Sequence, residues 1–224
     1  MNQVAIVEIR GAAGGDEAKL WANELLRMYL KFSQKQNWQS ELIADNILRI
    51  SGQQAFDLLE NESGVHRVQR VPVTERSGRI HTSTATVAVL PELSEQEIKI
   101  NPPDLEWQFI HASSHGGQNV QKVATAVRLR HQPSGIVVMA QSERYQAQNR
   151  ETALNLLRAK LWEQEELKKE RTIAGYRSPI GRGMRTEKIR TYNFLQDRVT
   201  DHRLKKNFHH LEAILAGDLG KIIF

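Results

Sequence analysis

The sequence predicts an α+β fold made of two mixed α/β units, and three observations predict it. Apolar and polar residues alternate over 3–10 and again from Gly78 to Leu90, as they do in strands with one buried face. Apolar residues recur at three- and four-residue steps over 16–36, which indicates an amphipathic helix. A further helical stretch runs from about Glu143 to Arg171 and is highly charged in its second half. A chain of 224 residues can form one large domain or two small ones.

The first unit opens with the strand over 3–10, which ends at the glycine-rich turn Gly11-Ala-Ala-Gly-Gly15. Asp16 has the position of a helix N-cap, and the helix over 16–36 follows it. Its aromatic residues are expected in the core. The later elements predicted for this unit are strands at 38–43 and 47–51, a helix at 53–60 and a strand from Gly78 to Pro91.

The second unit follows a polar connector that ends at Pro102-Pro103, and we place a domain boundary there. Its predicted elements are a strand at 105–112, a glycine loop at 113–123, a hairpin of 125–131 with 136–141, and a helix at 143–171. Residues 172–190 mix glycine and proline with arginine and lysine, which is typical of a mobile linker. The predicted domains are therefore 1–102, 103–171, the linker 172–190, and a C-terminal segment 191–224 that packs on the first unit.

Composition excludes several classes of protein. The chain contains no cysteine, so disulfides, thiolate metal sites and a cysteine nucleophile are excluded. As a separate expectation, the chain holds no metal and no cofactor. The sequence contains no run of about 18 apolar residues, so it predicts no membrane-spanning helix. The N-terminus does not have the pattern of a signal peptide, and we expect a cytoplasmic protein.

Positive charge is concentrated in the middle of the chain. Residues 113–206 hold 19 lysines and arginines against 9 acidic residues, whereas residues 1–112 hold 11 against 15. A basic segment of this kind favours a polyanionic partner such as nucleic acid. A solvated, lysine-rich helix face is the alternative.

The basic segment begins at the loop His115-Gly116-Gly117-Gln118-Asn119-Val120. Glycine lets the main chain approach a substrate closely, because it has no side chain and reaches backbone angles closed to other residues. Such a loop could aim the main-chain N–H of Gln118 at a reacting oxygen, as an oxyanion-stabilising donor requires. Most Gly-Gly pairs, however, are ordinary turns.

A second polar cluster lies upstream, from Val68 to Glu75 and from Gly78 to Ser83. It offers threonine hydroxyls, a glutamine amide that both donates and accepts, and the ring of His81, which can stack on a base. Stacking combined with edge hydrogen bonds is how single-stranded RNA bases are read. A polar hairpin with turn-forming threonines is the alternative.

These stretches resemble bacterial class I peptide chain release factors. The resemblance rests on the blocks from Glu62 to Glu75 and from Gly78 to Pro91, on the Gly-Gly-Gln loop, and on the block from Arg190 to Arg203. It covers essentially the whole chain. Pro72-Val73-Thr74 matches the Pro-x-Thr element of the factors that read UAA and UAG, whereas the sister type carries Ser-Pro-Phe there.

The resemblance implies which residues read the codon: Gly14, Glu17, Gln69, Pro72, Val73, Thr74, His81 and Thr82. Gly14, Glu17 and Thr74 would contact the first base, U. Glu17 lies at the N-terminus of the first helix, whose dipole would help to hold a base edge, and it could also serve as a capping residue.

The same resemblance implies that the second polar cluster reads the second and third bases. His81 would stack between the second and third bases. Gln69 and Thr82 would read the third base, where an amide and a hydroxyl can accept either A or G. The first unit would therefore be a codon-recognition domain, and the second a Gly-Gly-Gln domain directed at the peptidyl transferase centre.

The resemblance implies that Gly116, Gly117 and Gln118 enter the peptidyl transferase centre of the ribosome, where water attacks the ester of peptidyl-tRNA. The main-chain N–H of Gln118 would stabilise the transition state or the departing 3′ oxygen. Its side chain would shape the water pocket and accept an N-methyl group from a dedicated glutamine methyltransferase. We expect no stand-alone enzyme, because no residues form a set of nucleophile, base and orienting group.

The implied partners are the ribosomal decoding and peptidyl transferase centres, the stop codon of the mRNA and peptidyl-tRNA, with no membrane. The chain departs from the family pattern at Ser114 and His115, where the family has a further glycine before the pair, and at Gln121, where asparagine is usual. It also has no counterpart to the family's N-terminal helical domain, which argues against partnership with the recycling GTPase. The linker 172–190 would act as a switch.

Two other functions stay open at this point. A codon-independent ribosome-rescue factor would lack the codon-reading domain and end in a basic tail, whereas this chain ends in Leu219-Gly-Lys-Ile-Ile-Phe224. A decayed regulatory module would bind the ribosome without promoting hydrolysis.

Overall fold

The computed structural model describes residues 3–72, 75, 77–93, 98–111 and 123–223. The chain divides into two compact units. The first comprises Met1–Leu93 together with Thr172–Phe224, and the second comprises Ser94–Arg171.

The elements follow one another along the chain as strands with few helices between them. The strands are β1 (Val4–Gly11), β2 (Gln39–Ala44), β3 (Ile47–Ser51), β4 (Gly64–Arg70), β5 (His81–Pro91), β6 (Leu105–Ile110), β7 (Ala126–His131), β8 (Val137–Ala140), β9 (Lys188–Asn193), β10 (Arg198–Asp201) and β11 (Lys206–His209). The α-helices are α1 (Asp16–Lys35), α2 (Ala55–Leu59), α3 (Gln146–Arg177), α4 (Leu211–Leu215) and α5 (Gly220–Ile223). Short 3-10 helices lie at Glu60–Glu62, Pro102–Asp104 and Ser178–Ile180.

The first unit is built on one eight-stranded sheet in the order β11-β10-β9-β4-β5-β1-β3-β2. Its described pairs are antiparallel except for β4 with β9, which run parallel. Helix α1 packs on this sheet and buries the aromatic side chains that the sequence placed in the core, Trp21, Tyr29 and Phe32. The predicted α+β fold class is confirmed.

Strand β4 lies in the middle of this sheet, although the sequence analysis assigned no strand to Gly64–Arg70. It pairs with β5 on one side and with β9 on the other, so β9–β11 from the C-terminal segment belong to the first unit. The N-cap of α1 is Gly15, one residue before the predicted Asp16. Asp16 instead pairs with Lys19 at 3.1 Å.

The segment 172–190 has regular structure at both ends, unlike the predicted linker. Helix α3 continues through Arg177, and β9 begins at Lys188. The ring of Tyr176 packs edge-on against Phe56 at 5.5 Å, and Arg177 Nη2 lies 2.7 Å from Glu8 Oε1. These contacts explain why a composition rich in glycine and arginine still folds here. The switch-like role of the segment stays a prediction.

A buried ionic network joins β9 and β10 to the rest of the first unit. Arg190 Nη2 donates to Glu62 Oε1 at 2.7 Å and to Asp201 Oδ2 at 3.1 Å. The Tyr29 hydroxyl donates to Glu62 Oε2 at 3.0 Å. Arg190 and Asp201 have no exposed surface, and Glu62 is 1% exposed. Burial alone would raise the pKa of both carboxyls. The pKa of each nevertheless lies below its usual value. For Glu62, the charge and hydrogen bonds of Arg190 favour the charged form. For Asp201, the Leu204 N–H and then Arg190 do so.

His66 on β4 is fully buried beside this network. Its Nε2 lies 2.9 Å from the Glu62 carbonyl oxygen and its Nδ1 lies 3.2 Å from the Tyr192 hydroxyl. Because a carbonyl can only accept, Nε2 carries the proton and Nδ1 accepts from Tyr192. Burial and the charge of Arg190 lower the pKa of His66 to about 4.

We expect the first unit to lose stability as the pH falls from about 6.5 to 4, because the unfolded chain protonates His66 in that range and the folded chain does not. The carboxyls of Glu62 and Asp201 add a further loss of the same sign below about pH 4. Urea unfolding at each pH measures this profile. His66→Gln, which keeps a donor for the Glu62 carbonyl, should flatten the upper part. Burial lowers the pKa of the partly exposed His202 as well, so His202→Gln is the comparison variant and should flatten the profile less than His66→Gln does. An unchanged profile in His66→Gln would contradict the assignment.

The second unit contains the three-stranded antiparallel sheet β6-β7-β8. Residues of α3 pack on one face of it, and the core consists of Val127, Leu129, Val138, Ala140, Ala153, Leu157 and Leu161. The predicted hairpin and long helix are present, with α3 beginning at Gln146, three residues after the predicted start. Across the described ranges, no helix is both long and apolar enough to cross a membrane.

Candidate functional site

The predicted codon-reading residues that the structure describes lie in three segments of the first unit. Gly14 and Glu17 lie where β1 passes into α1, Gln69 and Pro72 at the end of β4, and His81 and Thr82 at the start of β5. Val73 and Thr74 lie outside the described residues, and so do Gly116, Gly117 and Gln118.

The pairing of β4 with β5 brings two of these segments side by side. Gln69 is the Cα partner of Thr82, and Arg70 is the partner of His81. Since successive side chains of a strand point to opposite faces, Gln69 and Thr82 share one face and Arg70 and His81 share the other. Gln69 and Thr82 are half-buried and His81 is exposed.

The glycine turn before α1 packs on the third residue of β5. Gly14 has φ +136°, and a Cβ built on it would lie 2.3 Å from Ser83 Oγ. Only glycine fits such a position without displacing the strand. The neighbouring Ala13 N–H donates to Thr84 Oγ1 at 3.0 Å, which fixes the turn against β5.

Glu17 is 4% exposed and pairs with Arg70, whose Nε lies 2.6 Å from its Oε1. Arg70 also binds Glu24 at 2.7 Å and lies over the ring of Phe194 at 5.0 Å. Within the part of the chain that the structure describes, Glu17 Oε2 has no hydrogen-bond partner. The carboxylate is therefore held rigidly, and its Oε2 is a buried oxygen for which the described residues provide no donor. Arg70 was not among the predicted codon-reading residues, although a carboxylate placed to read a base suggests a counterion.

His81 is held by Glu75, a second residue that the sequence analysis did not assign a role. Glu75 Oε2 lies 2.7 Å from His81 Nε2, and Glu75 Oε1 accepts from the Ser77 N–H at 2.8 Å. The Ser77 N–H, and after it His81, lower the pKa of the Glu75 carboxyl. Glu75 is thus an anion that orients the ring of His81 at the end of the strand pair.

These segments together form what we call the β4–β5 end site, comprising Gly14, Glu17, Gln69, Arg70, Glu75, His81 and Thr82. It offers an amide, a hydroxyl, an imidazole ring and a carboxylate oxygen within one region. Such groups can bind the edges of nucleobases and stack on their faces. Among the described residues, no cluster of three or more histidine, aspartate or glutamate side chains could hold a metal ion.

Two family models match most of the chain. The PCRF domain matches residues 2–87, and the RF-1 domain matches residues 94–203. The chain is 52% identical to the peptide chain release factor 1 of Thermotoga maritima, over 98% of this chain and 67% of that protein. It is 51% identical to the protein of the same name from Thermoanaerobacter pseudethanolicus, over 97% of this chain and 64% of that protein.

A solved structure shows the same relationship. The chain resembles RF2 of Thermus thermophilus with a TM-score of 0.59 and 38% sequence identity, over 99% of this chain and 66% of that one. The chain spans about two thirds of the length of the curated relatives it matches, between 62% and 67% for the first three.

Proposed function

Because the chain belongs to the family of peptide chain release factors, we propose that it reads the stop codons UAA and UAG on the ribosome and promotes hydrolysis of the peptidyl-tRNA ester. The observation that carries the proposal is that Gly14, Glu17, Gln69, His81 and Thr82 lie at one end of the β4–β5 strand pair, with Gln69 and Thr82 on one face and His81 on the other. These residues come from segments far apart in the sequence. A shared location would let them read one short stretch of RNA.

In this proposal the first base is read at the turn before α1. The buried Glu17 is held by Arg70, and we assign its second carboxylate oxygen to a base N–H, which requires the groups around this buried atom to open when the codon binds. Thr74 of the Pro72-Val73-Thr74 tripeptide supplies a hydroxyl to the same base. The acidic first turn of α1 also lies where a helix favours negative charge.

The second and third bases are read at the start of β5. His81 stacks between them, with Glu75 holding its ring. Gln69 and Thr82, partners across the strand pair, read the third base. An amide and a hydroxyl can each donate or accept, so A and G are both tolerated there.

Hydrolysis is assigned to Gly116, Gly117 and Gln118 in the peptidyl transferase centre. Water attacks the ester carbonyl, the bond to the tRNA 3′ oxygen breaks, and the main-chain N–H of Gln118 stabilises the charge that develops on oxygen. We assign N-methylation of the Gln118 side chain to a glutamine methyltransferase. The partners are the ribosome, the mRNA and peptidyl-tRNA, and the location is the cytoplasm.

The segment 172–190 is proposed as the switch that links codon reading to the second unit. One hydroxyl supports this: Thr84 Oγ1 accepts from the Ala13 N–H at 3.0 Å and lies 3.0 Å from the Gly183 carbonyl oxygen, to which it donates. Ala13 neighbours Gly14, so a change at the codon-reading turn reaches the segment through a single side chain. Such a contact is suited to an order–disorder switch.

We expect peptide release on programmed ribosomes to be fast with UAA and UAG and much slower with UGA and with sense codons. Single-turnover release of a labelled peptide measures the rates. Thr74→Ala should weaken the preference for U in the first position, with Thr86→Ala, a change of the same kind on β5, as the control. Equal release with UGA would overturn the codon assignment, and equal release with all codons would indicate a codon-independent rescue factor.

A further inference from the structure

Two amide side chains in the first turns of α3 hold the backbone that leads out of the Gly-Gly-Gln loop. The described chain resumes at Val123 and enters β7 at Ala126. Gln146 Nε2 donates to the Ala124 carbonyl oxygen at 2.8 Å, and Asn149 Nδ2 donates to the Thr125 carbonyl oxygen at 2.8 Å. Two successive carbonyls are therefore each fixed by one residue of the same helix.

Asn149 is fully buried, and its other side-chain hydrogen bonds go to the backbone of Glu143. Its Nδ2 also donates to the Glu143 carbonyl oxygen at 3.0 Å, and its Oδ1 accepts from the Glu143 N–H at 3.1 Å. A buried amide is costly unless it is hydrogen-bonded, and here each of its bonds goes to backbone. Asn149 thus ties the segment that leads into β7 to the turn that precedes α3.

Gln146 differs from Asn149 because it is exposed. An exposed side chain that leaves solvent to bind one carbonyl adds little to folding stability. The main effect of its bond is on the position of Ala124, two residues after the last residue of 112–122. Gln146 therefore positions the backbone at Ala124, whereas the buried Asn149 also stabilises the core of the second unit.

We propose that Gln146, supported by Asn149, is a positioning residue for peptide release, because it fixes the point at which the Gly-Gly-Gln loop returns to β7. The inference rests on the proposed function. A donor that stabilises a transition state must be held within about 0.5 Å of the productive geometry. Glycine has no side chain to supply that precision, and the Ala124–Thr125 backbone, which follows the loop, is held by two side-chain hydrogen bonds.

The test replaces Gln146 by glutamate in the full chain. Gln146→Glu is nearly isosteric but presents oxygens to the Ala124 carbonyl in place of a donor, so the anchor is lost and repulsion replaces it. The control is Gln148→Glu, the same change of charge two residues away on the same helix. Gln148 is exposed, and its side chain makes no hydrogen bond to another described residue. Release from UAA-programmed ribosomes is measured over a range of factor concentrations.

We expect Gln146→Glu to lower the release rate at saturating factor by about fivefold or more, as loss of one positioning hydrogen bond implies. The concentration for half-maximal rate and the melting temperature should stay at their wild-type values, and Gln148→Glu should release like the wild type. A wild-type rate in Gln146→Glu, or an equal loss in Gln148→Glu, would overturn the inference while leaving the proposed function intact. A wild-type chain that releases no peptide would overturn both.

Discussion

Replacing Gln118 by proline is expected to slow peptide release by about 100-fold or more, whereas Gln118→Ala should slow it far less. Proline removes the main-chain N–H that we assign to the developing oxyanion, and alanine keeps it. Loss of one such donor typically costs ~3 kcal/mol of transition-state stabilisation. Single-turnover release at saturating factor measures the difference, because it is insensitive to binding.

The matched control is Gln121→Pro, which places the same ring in the same loop without removing the assigned donor. If Gln121→Pro is as slow as Gln118→Pro, the loss reflects the shape of the loop and not the N–H. Equal rates for Gln118→Pro and Gln118→Ala would show that the main chain of Gln118 is not the donor. A wild-type rate no faster than that of both Gln118 variants would favour a ribosome-binding module that does not promote hydrolysis.

Periodicity in the sequence predicted the elements whose two faces differ. Helix α1 and strand β5 were found because an apolar face alternates with a polar one, and the structure places them within one residue and three residues of the predicted starts. Strand β4 was not found. It carries buried or half-buried side chains on both faces, and its polar residues His66 and Arg67 bind Tyr192 and Thr191 on β9, so apolar and polar residues do not alternate simply.

The candidate site was predicted residue by residue but without the pairs that hold it. Motifs named Glu17 and His81, yet nothing local in the sequence connects Glu17 to Arg70, which is 53 residues away. Glu75 stands beside the predicted tripeptide, and its contact with His81 depends on the turn between β4 and β5. An ion pair between distant segments can be identified only when the fold is known. A turn that requires glycine, such as the one at Gly14, can be predicted from the neighbouring glycines in the sequence.

Arg190 also joins segments that are distant in the sequence, because it binds both Glu62 and Asp201 in the core of the first unit. We expect Arg190→Met to lower the free energy of unfolding of this unit by about 3–5 kcal/mol, because it leaves the buried carboxylate of Glu62 without its cation and Asp201 with Arg203 alone. Urea unfolding followed by the fluorescence of Trp21 measures the loss in a chain whose other tryptophans are replaced by phenylalanine. Trp21 reports on this core, since its indole N–H donates to the His66 carbonyl oxygen at 3.0 Å. The exposed pair of Arg49 with Glu92 supplies the control, and Arg49→Met should leave the midpoint unchanged.

The cause of the loss can be separated from the loss of packing. If uncompensated charge is responsible, the deficit of Arg190→Met should shrink as the pH falls, because a buried carboxyl without a cation has a raised pKa and gains a proton on folding. Adding Glu62→Gln to Arg190→Met should likewise recover about 1 kcal/mol or more. A deficit that is constant with pH and additive in the double variant would assign the effect to the cavity. In that case β9 would be held to β4 by its strand pairing and side-chain packing, and the buried charges would add no net stability.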